Sequence, residues 1–154
     1  MSDRLPESEL ERILDAVELI EDGLGRLVEI RSATDRETYR TDPDTQAIVE
    51  RRFVTMTEAA LDIGKVLIVQ EREDPPDSNP QMMRTLSELD VLSDDVATEM
   101  VDAARFRNVL AHTYGPSIDH ELVYDALDDL ARYRDFTVEI RIHLERIGAL
   151  DPGE

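Results

Sequence analysis

The sequence predicts an all-α fold, an antiparallel bundle of four long helices and one short helix. Its long segments place apolar residues three and four apart, which gathers them on one face of a helix. Prolines stand where those segments are expected to start or stop, and polar stretches join them. Short connections between successive long helices make neighbours antiparallel.

The first helix is expected from about Pro6 to Arg31, with Leu10, Ile13, Leu14, Val17, Ile20, Leu24, Leu27 and Val28 facing inward. Pro6 suits a first turn, and Glu7, Glu9 and Glu11 complement the helix dipole. The polar stretch Ser32 to Asp42 reads as a loop. A second long helix should run from near Pro43 to about Glu73, its apolar face made by Ile48, Phe53, Met56, Ala59, Ala60, Ile63, Val66 and Leu67. Within it, the run KVLIVQ has strand propensity, but the flanking helical period outweighs it. Pro75, Pro76 and Pro80 interrupt the chain, and a short helix follows over Gln81 to Leu89. Ser93, ahead of Asp94 and Asp95, is expected to cap the next helix. Gly115-Pro116 should end that helix, because the residue before a proline avoids helical geometry. The last helix is expected over about Asp119 to Gly148, leaving Asp151 to Glu154 as a tail.

A chain of 154 residues and 17.5 kDa fits one domain, 1–154, with a helical core at about 5–148. Its 41% hydrophobic content can fill a core, and the lack of cysteine excludes disulfides and thiolate metal sites. No apolar run reaches the roughly 18 residues of a membrane span, and the acidic start lacks a signal peptide's basic region. These features predict a soluble cytoplasmic protein. The net charge of −19 would ordinarily repel a nucleic acid. However, Lys65 is the sole lysine, the other 16 basic residues are arginine, and the acids are spread along the whole chain. That pattern reads as a halophilic surface adapted to a salty cytoplasm, where a Debye length of about 3 Å in molar salt suppresses the repulsion. The alternative is an ordinary acidic protein that does not touch RNA.

One stretch concentrates chemistry. Arg105 to Tyr114 reads RFRNVLAHTY and brings Arg107, Asn108, His112 and Tyr114 close together. On a helix, Phe106, Val109 and Leu110 share one arc and are expected to be buried. Arg107 and Tyr114 nearly eclipse each other elsewhere, with Asn108 and His112 stacked beside them. A cation, an amide, an imidazole and a phenol together can bind and cleave a phosphodiester.

This set resembles the R-x4-H-x-Y signature of the HepT-like toxins, a branch of the HEPN ribonuclease superfamily. The likeness extends to TEAALDIGKVLIVQ (57–70), Leu86 to Leu92 and VLAHTYGPSID, covering roughly residues 5 to 147. It departs at Lys65, where many relatives carry histidine. The resemblance implies a homodimeric HEPN-like bundle and a metal-independent endoribonuclease, the toxin of a toxin–antitoxin pair, with a composite site at the dimer interface. It also implies a minimal nucleotidyltransferase antitoxin that transfers AMP to Tyr114. No cofactor or metal is expected.

The residue chemistry suits that reading. Cleavage of RNA needs a base for the 2′-hydroxyl proton and an acid for the leaving oxygen, and histidine serves either role near neutral pH. Arginine offers a planar fork of donors to the phosphoryl oxygens. Each chain supplies one such histidine, so two facing copies would supply an acid and a base. Asn108 is expected to contact phosphate or orient His112 one turn on, and Arg105 to help bind RNA. The bland alternatives are a surface arginine and a histidine that stabilises a helix end. Arg51-Arg52, Arg105 and Arg132 with Arg134 are a candidate basic track, unless neighbouring carboxylates engage them. His120 reads as a surface residue near the site, and His143 as structural. Two other functions compete: a non-catalytic binding partner of a minimal nucleotidyltransferase, and a purely structural helical dimer.

Overall fold

The computed structural model describes residues 5–71, 73–112 and 117–151. They form α1 (Glu7–Ala33), α2 (Arg36–Arg40), α3 (Pro43–Gln70), α4 (Asn79–Glu88), α5 (Asp94–His112), α6 (His120–Ala126) and α7 (Ala131–Arg146). A 3-10 turn, Leu127–Asp129, joins α6 to α7. Among the described residues there is no strand.

The starts follow local chemistry. Asp42 accepts from the Thr45 amide at 3.2 Å, and Pro43 opens α3 where its missing N–H costs nothing. Ser93 Oγ accepts from the Val96 amide at 3.2 Å, so it caps α5 as its position predicts. The KVLIVQ run is helical and ends α3. Two expectations are corrected. Ser32 to Asp42 contains α2, a single turn capped by Asp35 through the Thr38 amide at 2.8 Å. The last helix is divided, yet Leu127 and Leu130 keep right-handed helical dihedrals, so the turn tightens the path without reversing it.

α1 and α3 make the central antiparallel pair. Arg12 near the start of α1 pairs with Asp62 late in α3, and Gly23 further along α1 lies on Met56. A Cβ on Gly23 would stand 2.6 Å from Met56 Cγ, so glycine permits the close approach there. Ile13, Val17, Ile20, Val49, Met56, Ile63, Met100, Phe136, Ile140 and Leu144 have no exposure and bind α1, α3, α5 and α7 into one core. Val28 and Ile48, expected inward, are 46% and 37% exposed. Both sit at the edge of their helix's apolar stripe, where the neighbouring helix no longer reaches. Phe53 packs edge-on to Phe106 at 5.3 Å and lies 6.3 Å from Tyr133, whose hydroxyl shares a 2.8 Å hydrogen bond with Thr57.

Charged contacts hold α2 to α6. Arg36 pairs with Glu121 at 3.0 Å and Asp125 at 2.5 Å, and Arg40 with Glu121 at 3.0 Å. The Arg31 and Arg36 guanidiniums lie 5.3 and 4.8 Å from the Tyr124 ring centre.

His143 is buried in α7, as its flanking apolar residues predict. Burial, with help from Arg146, holds its pKa below the ordinary 6.5, against a raising effect of Glu71. A depressed folded-state value means that folding favours the neutral ring. Stability is therefore fully present above the ordinary imidazole range and is lost as pH falls through it. Replacing His143 with leucine should flatten the loss of thermal stability seen on acidifying below about pH 6.5. An unchanged pH profile of melting temperature would rule this out.

Candidate functional site

α5 carries the motif, and its neighbours fix it along its length. Asp94 starts it beside Ser87 of α4, and Glu139 of α7 bonds the Ser93 amide at 2.7 Å and its hydroxyl at 2.8 Å. Further on, Phe106 packs on Phe53 of α3, and Leu110 is buried. Val109 departs from expectation: it is 51% exposed. At about 100° per residue it lies 60° from Phe106, on the side away from Leu110, which puts it beyond the packed arc. Arg105, Val109 and His112 instead form one exposed stripe at i, i+4 and i+7.

Arg107 turns the other way. Its Nη2 donates to Glu58 Oε2 of α3 at 2.6 Å, and its Nη1 to Asn108 Oδ1 at 3.4 Å. The side chain is only 20% exposed, so this charge is partly withdrawn from water and answered by one carboxylate. Asn108 Oδ1 also accepts from Asn79 Nδ2 of α4 at 3.2 Å. Asn108 thus orients Arg107 in this chain, and no hydrogen bond joins it to His112 among the described residues.

Glu58 and Asn79 escaped the sequence reading. Neither lies in the motif, and 49 and 29 residues separate each from its partner. Glu58 is one of two carboxylates, with Asp62, in an otherwise apolar helical stretch (TEAALDIG), and that is its faint signal.

Five residues place His112 about 140° around the helix from Arg107. His112 is exposed on the last turn of α5, and within one chain the two do not share a contact among the described residues. Tyr114 and the expected stop at Gly115-Pro116 lie outside the described residues, which on this helix run to His112. Arg105 is exposed and stands 3.8 Å from Asp102. Lys65 is exposed on α3, two turns beyond Glu58.

His120 opens α6 and is more enclosed than a surface histidine. Its Nδ1 is 3.3 Å from Glu50 Oε2, and its ring stands edge-on to Tyr39 at 6.5 Å. Burial raises the Glu50 carboxyl pKa, while His120 opposes that shift. Among the described residues no group of three or more His, Asp or Glu side chains is placed to hold a metal ion, and no helix is long and apolar enough to cross a membrane.

An all-helical bundle whose penultimate long helix presents arginine, an amide and a terminal histidine is of the HEPN type. The chain matches the family described as Ribonuclease HepT-like over residues 13–140, and it belongs to that family. Among solved structures it is similar to one described as a toxin–antitoxin with AMP-PNP, at TM-score 0.77 and 16% identity, covering 86% of this chain and 98% of that one. It is similar to YutE of Bacillus subtilis, a cytosolic protein of unknown function, at TM-score 0.76 and 18% identity, covering 91% and 93%. It is also similar to a tri-AMPylated Shewanella oneidensis HEPN toxin in complex with an MNT antitoxin, at TM-score 0.76 and 17% identity, covering 85% and 97%. These identities carry the fold. No curated protein matches the chain.

Proposed function

We propose that this protein is a metal-independent endoribonuclease, the toxin of a toxin–antitoxin pair, acting as a homodimer at a composite site. The observation that carries the reading is the divergence of Arg107 and His112 on α5. One chain offers a sheltered guanidinium and, about 140° away, an exposed imidazole. Two copies meeting across the Arg105–Val109–His112 stripe bring two imidazoles to one cleft and cover Val109. There the base takes the proton of a 2′-hydroxyl, whose oxygen attacks phosphorus and forms a 2′,3′-cyclic phosphate. The P–O5′ bond breaks, and the acid protonates the departing 5′-oxygen. Arg107, steadied by Asn108 and released from Glu58, faces the charge on the phosphoryl oxygens. Arg105, on the same stripe, contacts the RNA backbone.

This arrangement makes the dimer a condition of activity. Val109→Asp should convert a sedimenting dimer to monomer and remove cleavage together, because it places a charge where apolar surface is to be covered. A Val109→Asp dimer with full activity would end the composite reading.

Regulation follows the same logic. A minimal nucleotidyltransferase partner transfers AMP from ATP to the Tyr114 hydroxyl and releases pyrophosphate, adding bulk and negative charge two residues from His112. The description of a tri-AMPylated HEPN toxin among the similar structures supports this. Co-expression with such a partner should add the mass of one or more AMP groups, and Tyr114→Phe should remove the increment. An increment that persists in Tyr114→Phe would place the modification elsewhere.

A further inference from the structure

The sequence offers several arginines as a track for RNA, and the fold sorts them. Arg132 is engaged by Glu99 at 3.0 Å and by Asp129 at 3.6 Å, and Arg105 stands near Asp102. Arg51, Arg52 and Arg134 differ: among the described residues no carboxylate lies within ion-pair distance of any of them, and of the three only Arg51 and Arg52 line a groove. These two line an open groove of about 550 Å³ between α1 and α3, together with Leu19, Ala47, Ile48 and Thr55. No acidic residue lines it. In a chain of net charge −19 this is unusual, and the neighbouring grooves show the contrast. The one between α4 and α5 carries Glu88, Asp94 and Asp102, and the one nearer the start of α1 carries Glu11, Asp15 and Asp62.

Its position relates it to the motif. Arg51 and Glu58 are seven residues apart on α3, so they share an azimuth to within about 20° and lie about 10.5 Å apart along the axis. Glu58 is the residue that holds Arg107. His120, which opens the helix after α5, docks on Glu50 of α3, and the groove residues Ala47 to Thr55 bracket that position. A strand crossing Arg107 can continue over the α3 surface to Arg51.

We propose that this groove is a subsite for a nucleotide of single-stranded RNA flanking the cleaved phosphate, a reading that rests on the ribonuclease assignment above. Arg51 and Arg52 meet the backbone phosphates. The floor fits a base: Leu19 and Ile48 are 42% and 37% exposed, and unpaired bases rest on apolar side chains and guanidinium planes. Double-stranded RNA keeps its bases stacked inside and cannot use such a floor.

The test measures binding of a fluorescein-labelled homopolymeric single-stranded RNA by anisotropy across a salt series. The parent protein is His112→Ala, so the RNA stays intact. Arg51→Gln with Arg52→Gln should raise Kd on the order of tenfold. The slope of log affinity against log salt should fall by roughly 1.4, about 0.7 for each phosphate that no longer meets an arginine. Leu19→Asn should weaken binding while leaving that slope unchanged. Arg26→Gln with Arg141→Gln makes the same change in net charge at arginines outside the groove and outside the candidate track, and should leave Kd near the parent value. Circular dichroism of each variant separates impaired binding from impaired folding. Equal binding by the groove variant and the parent overturns the subsite alone. An equal weakening in the control pair does the same, because global charge then explains it. A groove variant that keeps RNA affinity but no longer binds a nucleotidyltransferase partner makes the groove a protein-docking surface and overturns the proposal. No binding by the parent, with no cleavage by the wild type, sinks the ribonuclease reading and the subsite with it.

Discussion

Replacing His112 with alanine is expected to reduce RNA cleavage by about 10²–10⁴-fold, the usual contribution of a positioned acid or base. The fold should survive, since His112 is exposed on the last turn of α5. Melting temperature and dimer state should therefore match the wild type while the product bands vanish. In a composite site each dimer loses both imidazoles at once, so mixing inactive His112→Ala chains with wild-type chains should also lower activity beyond simple dilution. Arg107→Lys should recover only part of the wild-type rate, because an ammonium cannot present the guanidinium's two-pronged donor set. Cleavage that continues unchanged in His112→Ala would falsify the catalytic assignment. If neither protein cleaves RNA and both bind a nucleotidyltransferase tightly, the chain is a binding module that uses the same surface.

The largest structural effect is expected at Phe53. It is 2% exposed, lies edge-on to Phe106 of the motif helix, and neighbours Tyr133 of α7. Truncation to alanine removes a buried ring and leaves a void that three helices cannot close. The cost should be about 3–5 kcal/mol, which corresponds to a melting temperature lower by roughly 6–20 °C for a chain of this size. Phe53→Leu keeps most of the volume and should cost less than about 1.5 kcal/mol. The two variants also separate packing from chemistry. If Phe106 needs its partner ring to hold α5 in register, Phe53→Leu should weaken cleavage more than its small loss of stability explains. A Phe53→Ala protein that melts like the wild type would mean that the cluster is not a structural centre.

Much of the bundle was legible because long helices write their burial into spacing. Ile13, Val17 and Ile20, or Phe53, Met56, Ala60 and Ile63, repeat often enough to fix both the element and the face. What failed was short or marginal. α2 is one turn, too brief to show a period, and Asp35 as its cap looks like any polar loop residue. The 3-10 turn at Leu127–Asp129 leaves the apolar pattern intact, so spacing could not divide the last helix. Val109 fell at the rim of an arc, where a few degrees decide between core and solvent.

The candidate site was legible as residue types and not as an assembly. Arg107, Asn108 and His112 could be named from RFRNVLAH, because their chemistry is local. Their partners could not: Glu58 and Asn79 reach α5 through the fold, and no pattern within one helix announces them. Nor could spacing alone distinguish the paired Arg132 from Arg51 in its acid-free groove, since that depends on which carboxylates the tertiary structure brings near.

The Glu58–Arg107 contact gives the site a tenant of its own. A carboxylate tethered 2.6 Å from the guanidinium acts as a ligand present at very high effective concentration. In the proposed site an incoming anion competes with it, and an isolated phosphate or a free nucleotide has fewer contacts with which to compete. A polymer is different, because contacts at several of its phosphates act together against a single internal rival. The consequence is a filter on length. Under the ribonuclease proposal, small metabolites carrying the same phosphate group meet an occupied arginine, while an extended RNA strand is expected to evict its occupant.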